Sequence, residues 1–194
     1  MAAIVVILTP VVSLISFAQE VDVKKFVDQV AQSLINTMKN ASTSLESKRS
    51  QVKQVIEKNF DVAWMSRFAM GVNYKKLSDA QKERYASLYL NYLLNNYFPI
   101  LMKYDSDDSY EILKINKVDE KDHDVGIKLL TKKSENPIML QYRVRFVDGA
   151  YKCLDMSVEG VSTLLSQRAE FVSVIQQSGI DAFLKQLESQ KVKS

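Results

Sequence analysis

Few side chains in this sequence could carry covalent or acid–base chemistry: its 194 residues hold one histidine, His123, and one cysteine, Cys153. His123 sits in the charged run Asp119-Glu120-Lys121-Asp122-His123-Asp124, the composition of a turn that faces water, and is expected to be a solvated loop residue. Cys153 falls in an apolar strand-like stretch and is expected to be a small buried residue, not a nucleophile. One His and one Cys exclude the common zinc patterns and cysteine–histidine dyads, and no intramolecular disulfide can form. Asp105-Ser106-Asp107 opens like a calcium loop, but Tyr110 stands where such a loop needs Gly and Asn116 where it needs Glu. No glycine-rich phosphate loop, dinucleotide fingerprint or nucleophile elbow occurs. Glu46, Glu57, Asp61 and Glu159 could meet as an acid/base set, although nothing in their spacing directs them to. No catalytic residue and no metal ligand is assigned on these grounds.

What the sequence has in surplus is large, soft apolar side chains. There are seven methionines, Met1 included, and nine tyrosines, several of them on one helical stripe. Methionine adapts its shape, and tyrosine gives an apolar wall with one polar tip, so such residues suit an ordinary core or the lining of a cavity. A composition of 46% hydrophobic and 25% charged residues fits one globular domain able to bury a sizeable core. The net charge of +3, from 26 basic and 23 acidic residues, describes a mixed surface and not a nucleic-acid stripe, and leaves room for a patch that docks an acidic partner.

The elements that must position these residues follow from periodicity. Asp22 is expected to cap a helix with Phe26, Val27, Val30, Leu34, Ile35 and Met38 as its buried stripe. A polar surface helix follows from about Leu45 to Lys58, its inner edge formed by Leu45, Val52, Val55 and Ile56. Asp61 is read as the cap of a short helix from Val62 to Met70, apolar nearly all round and stopped by Gly71. Ser78-Asp79-Ala80-Gln81 has the capping-box pattern and starts the longest helix, running to about Tyr104 with Pro99 near its end. Four strands are expected, at about 110–118, 124–132, 138–147 and 150–158, joined by short turns as an antiparallel meander. The last strand passes through Glu159-Gly160 into a helix from Ser162 to Gln177, and a short helix follows Gly179.

Residues 2–17 are almost wholly apolar and end Ser16-Phe17-Ala18, with small residues where signal peptidase needs them. The stretch is short and interrupted by Pro10 for a spanning helix. A signal peptide over residues 1–18, cleaved after Ala18, is expected, leaving residues 19–194 as a single domain. No Lys or Arg precedes the apolar run, which is unusual for such a leader.

Three stretches resemble one family. Phe60-Asp61-Val62-Ala63-Trp64-Met65-Ser66-Arg67-Phe68-Ala69-Met70-Gly71 is similar to its pattern of a Phe-Asp pair, an apolar pair, Arg-Phe-Ala and Gly, and Leu77-Ser78-Asp79-Ala80-Gln81-Lys82 resembles its helix start. Asp155-Met156-Ser157-Val158-Glu159-Gly160-Val161-Ser162, then Arg168-Ala169-Glu170-Phe171, resembles its signature most closely. The family is the MlaC, or toluene-tolerance, type of periplasmic phospholipid-binding protein, auxiliary to an ABC transport system that maintains outer-membrane lipid asymmetry. The resemblance spans about Val21 to Leu187, with Tyr151 where the family often has Trp and Cys153 where Val is more usual.

The resemblance implies an α+β fold in which N-terminal and C-terminal helices wrap a curved antiparallel four-stranded meander sheet, with a lipid cavity between helices and sheet. It implies a periplasmic carrier and not an enzyme, with bound phospholipid as cargo and no cofactor. Its partners would be an inner-membrane ABC transporter complex with an MCE-domain subunit and an outer-membrane lipoprotein–porin complex, and no nucleic acid. Because the apolar stripes are wider than one core layer needs, Met65, Phe68, Ala69, Met70, Leu88, Tyr89, Tyr97 and Leu101 are expected to form the helical wall. Ile127, Leu129, Leu140, Tyr142, Val144, Met156 and Val158 are expected to form the sheet floor. Arg67, Arg143 and Arg145 are candidates to pair with a lipid phosphate. Tyr151 and Cys153 are expected to pack behind the sheet, and Glu159 and Gly160 to be structural. Two other classes fit the residues: a secreted hydrolase using a carboxylate pair, and a membrane-anchored adaptor held by an uncleaved N-terminus.

Overall fold

Four helices begin by the same device. Helices α2 (Leu45–Asn59), α3 (Val62–Met70), α4 (Asp79–Leu101) and α5 (Thr163–Ser178) each follow a residue whose side-chain oxygen accepts a backbone N–H three positions on. Ser44 accepts from Ser47, Asp61 from Trp64, Ser78 from Gln81 and Ser162 from Leu165. At Ser78 the Gln81 side chain returns the bond and completes the expected capping box. Gly71, with φ of 59°, ends α3 and opens a 3-10 turn over Gly71–Lys76. Gly179, with φ of 81°, separates α5 from α6 (Ile180–Ser189).

The computed structural model describes residues 11–103, 108–131 and 135–190. Helix α1 spans Val11–Lys39, so Asp22 lies inside it and does not cap it: no Gly or Pro between Val11 and Asp22 stops the helix from extending upstream. The expected leader lies partly outside the described residues, and its stretch from Val11 to Ala18 runs into the rest of α1 without a break. Leu45, expected on the inner edge of α2, is 57% exposed at the first position of that helix.

The sheet is antiparallel and open, in the order β1 (Ser109–Lys117), β2 (Asp122–Leu130), β3 (Ile138–Val147), β4 (Ala150–Val158), β5 (Val161–Ser162). The fifth strand, beyond the four expected, exists because Glu159 and Gly160 both take positive φ, 49° and 79°, and make a tight two-residue hairpin. The chain pairs back on itself for two residues before α5 begins. Asp148-Gly149 makes the expected hairpin in the same way.

His123 is not in a solvated turn. It lies in β2, 2% exposed, opposite Val144. The charged run can enter the sheet because Arg145 on β3 meets Asp122 and Arg143 meets Asp124. A second correction concerns β4. The register passes from Arg143 opposite Asp155 to Val144 opposite Cys153, so Leu154 is an extra residue, a bulge that switches the parity of the strand. Cys153 and Tyr151 therefore share a face with Val144 and Phe146, and with Met156 and Val158, instead of packing behind them.

Rows of apolar residues cross that face from strand to strand, such as Ile112–Ile127–Leu140–Val158. At the His123 end, α1 closes over it: Val23 and Val27 pack with Val125, Ile127, Val144 and Cys153. A separate, larger core joins α2 to α6 around Tyr85, Tyr89, Leu93, Phe171, Phe183 and Leu184, each at most 2% exposed.

Candidate functional site

Between the two cores, the end of α4 stands off from the β4–β5 corner and the start of α5. The gap is a groove of about 820 Å³, within the range of small-molecule and cofactor sites. Tyr92, Tyr97, Phe98, Pro99, Ile100 and Met102 form one wall, Val158 and Val161 the corner, and Thr163, Ser166, Gln167 and Glu170 the wall from α5. Leu45, Ile100, Met102 and Val161 give the groove an exposed apolar edge, interrupted by the exposed Lys103, Ser166 and Glu170.

The groove has polar atoms, but they bond to one another. Tyr89 donates its hydroxyl proton to Gln167 Oε1 at 2.8 Å. Tyr97 Oη and Thr163 Oγ1 are 3.0 Å apart, and Thr163 reaches Asp155 Oδ1 at 3.4 Å. Asp155 holds the start of α5, accepting from Ser162 Oγ at 2.5 Å and from the Leu164 backbone N–H at 3.0 Å. Tyr92 donates to Glu170 at 3.4 Å. With its hydroxyls engaged along α5, this wall can offer ring faces to the groove. Burial raises the Tyr89, Tyr97 and Tyr142 hydroxyls above the usual phenol range, so none of them carries charge at neutral pH.

Tyr142 and Leu140 pack in part against the core under α1 and Tyr97 against the helical core, yet each leaves part of its surface uncovered, as do Leu129, Met156 and Val158 on the sheet.

The structure divides the residues singled out in the sequence. Met65, Ala69, Met70 and Tyr89 are buried in the helical core, and Ile127 and Val144 are closed under α1. Phe68 lies against Trp64 and Arg168, while Leu88, Tyr97 and Leu101 border the helical core. Tyr97 and Val158 line the groove directly. Arg67, Arg143 and Arg145 are not among the groove-lining residues: Arg67 is exposed on α3, and the other two point to the opposite face of the sheet in pairs with Asp124 and Asp122. Sequence reasoning passed over Phe98, Pro99, Ile100 and Met102 at the end of α4, and the α5 wall. The signal was present in the spacing of Thr163, Gln167 and Glu170, one face of a helix, matching the tyrosines of α4.

A second groove, of about 560 Å³, lies between α1 and β1. It is polar, with Lys24, Asp28 and Lys39 in its lining and Tyr110 donating to Asp28 at 2.6 Å. The candidate catalytic groups have separate structural tasks. Asp61 caps α3, Glu159 Oε1 accepts from the Met139 backbone N–H at 2.7 Å, and burial pushes the Cys153 thiol up to about 12. Among the described residues no cluster of His, Cys, Asp or Glu is placed to hold a metal, and no helix is long and apolar enough to cross a membrane.

An open antiparallel sheet wrapped by helices, with a groove between α4, the β4–β5 corner and α5, defines a fold of the α+β class. The chain belongs to the MlaC protein family, whose family model matches residues 26–189. Its fold is that of a phospholipid-binding protein from Ralstonia solanacearum, solved in complex with a phospholipid: TM-score 0.74 at 19% identity, covering 87% of this chain and 99% of that one.

Proposed function

We propose that this protein is a periplasmic phospholipid carrier, not an enzyme, which shelters acyl chains in the groove between α4, the β4–β5 corner and α5. The observation that carries this reading is the groove itself: apolar side chains make up much of its edge, and the hydroxyls of its α4–α5 wall are satisfied within the protein. The family and the phospholipid-bound neighbour support it. Tyr97, Leu101, Leu129, Leu140, Tyr142, Met156 and Val158 are the singled-out residues that keep surface on this side, and they are proposed to touch the tails.

The energetics explain why a carrier needs such a groove. Each methylene left in water costs about 0.8 kcal/mol, so about thirty methylenes cost on the order of 20 kcal/mol. A carrier that replaces this burial makes the transfer between membranes nearly neutral, and docking to a complex at each membrane shortens the exposed stage. The proposed partners are an inner-membrane ABC transporter complex and an outer-membrane complex. Export would use residues 1–18 as a cleaved signal, with the mature chain starting at Gln19.

Extraction and mass analysis of the purified protein tests the reading. A stoichiometric phospholipid, reduced in a Val158→Trp variant that fills the groove, is expected. Lipid-free protein, or equal lipid in the variant, counts against it.

A further inference from the structure

A ladder of guanidinium and aromatic groups lies along α3, outside the groove. The Arg145 guanidinium is 5.4 Å from the Trp64 ring centre, Trp64 stacks on Phe68 with centroids 5.1 Å apart, and the Arg168 guanidinium is 4.8 Å from the Phe68 ring centre. The two ends differ. Arg145 is neutralised, donating from Nε and Nη2 to the two oxygens of Asp122 at 2.6 and 2.7 Å. Arg168 is held without a carboxylate, by the Phe68 ring and by Gly71, where an added Cβ would stand 3.5 Å from its Nε.

Arg67 lies three residues after Trp64 and four before Gly71, so helix geometry puts it beside this ladder. It is exposed, and among the described residues it has no ion pair, hydrogen bond or ring contact. Packing accounts for Arg168, whereas Arg67, one turn before Gly71 on α3, has no neutralising partner among the described residues. Val72, directly after Gly71, is 70% exposed.

We infer that this face of α3 and α5 is a docking surface for an acidic protein segment, whose carboxylates pair with Arg67 and Arg168 while Trp64, Phe68 and Val72 provide apolar contact. Arg168, its guanidinium held over the Phe68 ring, loses little freedom on binding, and both arginines can meet a planar carboxylate with two parallel bonds. Trp with Arg is the composition that dominates protein interfaces. A lipid surface fits less well, because Trp64 and Phe68 are half-buried against each other and under guanidinium groups and do not project as anchors. The inference does not depend on what occupies the groove.

Trp64 is the one tryptophan of the chain, so its emission reports on this surface. The full protein is titrated with a Glu- and Asp-rich peptide, with a Lys-rich peptide of equal length, with inorganic phosphate, and with phosphatidylglycerol vesicles. A saturable change with the acidic peptide alone is expected, reduced by salt. Arg67→Glu, at an exposed position, should weaken it about tenfold, through one lost attraction and one added repulsion. Lys53→Glu on α2 should leave it unchanged. No saturable response, equal binding by Arg67→Glu, a matching response to phosphate, or a response to vesicles alone would each overturn the inference.

Discussion

The helical core and the sheet face are equally apolar in sequence, yet they do opposite things. In the helical core Phe171 packs edge-to-face on Tyr92 at 5.0 Å and against Phe183 at 4.8 Å, and the largest side chains keep almost no accessible surface. On the sheet, the end under α1 is closed in the same way, while Leu129, Leu140, Tyr142, Met156 and Val158 keep surface. The difference lies in what each surface meets. Rings from α4, α5 and α6 interdigitate, whereas the sheet meets α1 over only part of its face. One apolar surface is packed throughout, and the other keeps part of its area accessible.

The largest effect should come from breaking the packed side. Phe171→Ala removes a ring shared by three aromatic neighbours and should cost about 3–5 kcal/mol, measured by urea unfolding. A loss under about 1 kcal/mol would mean that this core is as loose as the groove. Two tryptophan substitutions on one sheet face sharpen the contrast. Val144→Trp, at a position with 0% exposure, should destabilise by about 1–3 kcal/mol or more, because nothing there can give way. Val158→Trp should stay within about 1 kcal/mol of the parent and act on lipid content instead. Equal stability losses at the two positions would erase the distinction.

Smaller effects lie at the edges of both regions. Ser78→Ala removes one half of the capping box and should cost about 1 kcal/mol in a thermal or urea melt, without changing the groove. The smallest is an acid-side slope from His123. Burial, with Lys117 on β1, lowers its pKa below the usual 6.5, although Glu20, Asp122 and Asp119 act the other way. The folded state thus disfavours the protonated form. Stability from this residue is complete above the unfolded value and falls as pH drops below it. The urea midpoint should fall less between about pH 7.5 and about pH 5.5 in His123→Phe than in the parent. Identical slopes would show that His123 is solvated after all.

His123 also shows where a sequence stops being legible. Its charged neighbours have the composition of a turn, and only the partners on β3 make them a strand, since Arg143 and Arg145 are reached across the sheet and not along the chain. The bulge at Leu154 is a similar case. Strict alternation puts Cys153 and Met156 on opposite faces, and a single unpaired residue brings them to the same one. Tyr89 and Tyr97 are alike by composition and lie on one helix. Yet Tyr89 is sealed in the core and Tyr97 lines the groove.

The sequence alone determined most of the elements and several of their ends, because caps, hairpin glycines and periodicity act within a few residues, while the start of α1 and the fifth strand were not legible in it. Asp61, Ser78 and Asp148-Gly149 make the caps and hairpin expected of them, whereas Glu159-Gly160 makes a hairpin instead of a direct corner into α5. The resemblance of three short stretches was enough to reach the family. Only the tertiary structure decided which apolar side chains are core and which are lining. Burial and vacancy use the same residue types, and a gap is a property of how two surfaces meet, which neither surface encodes by itself.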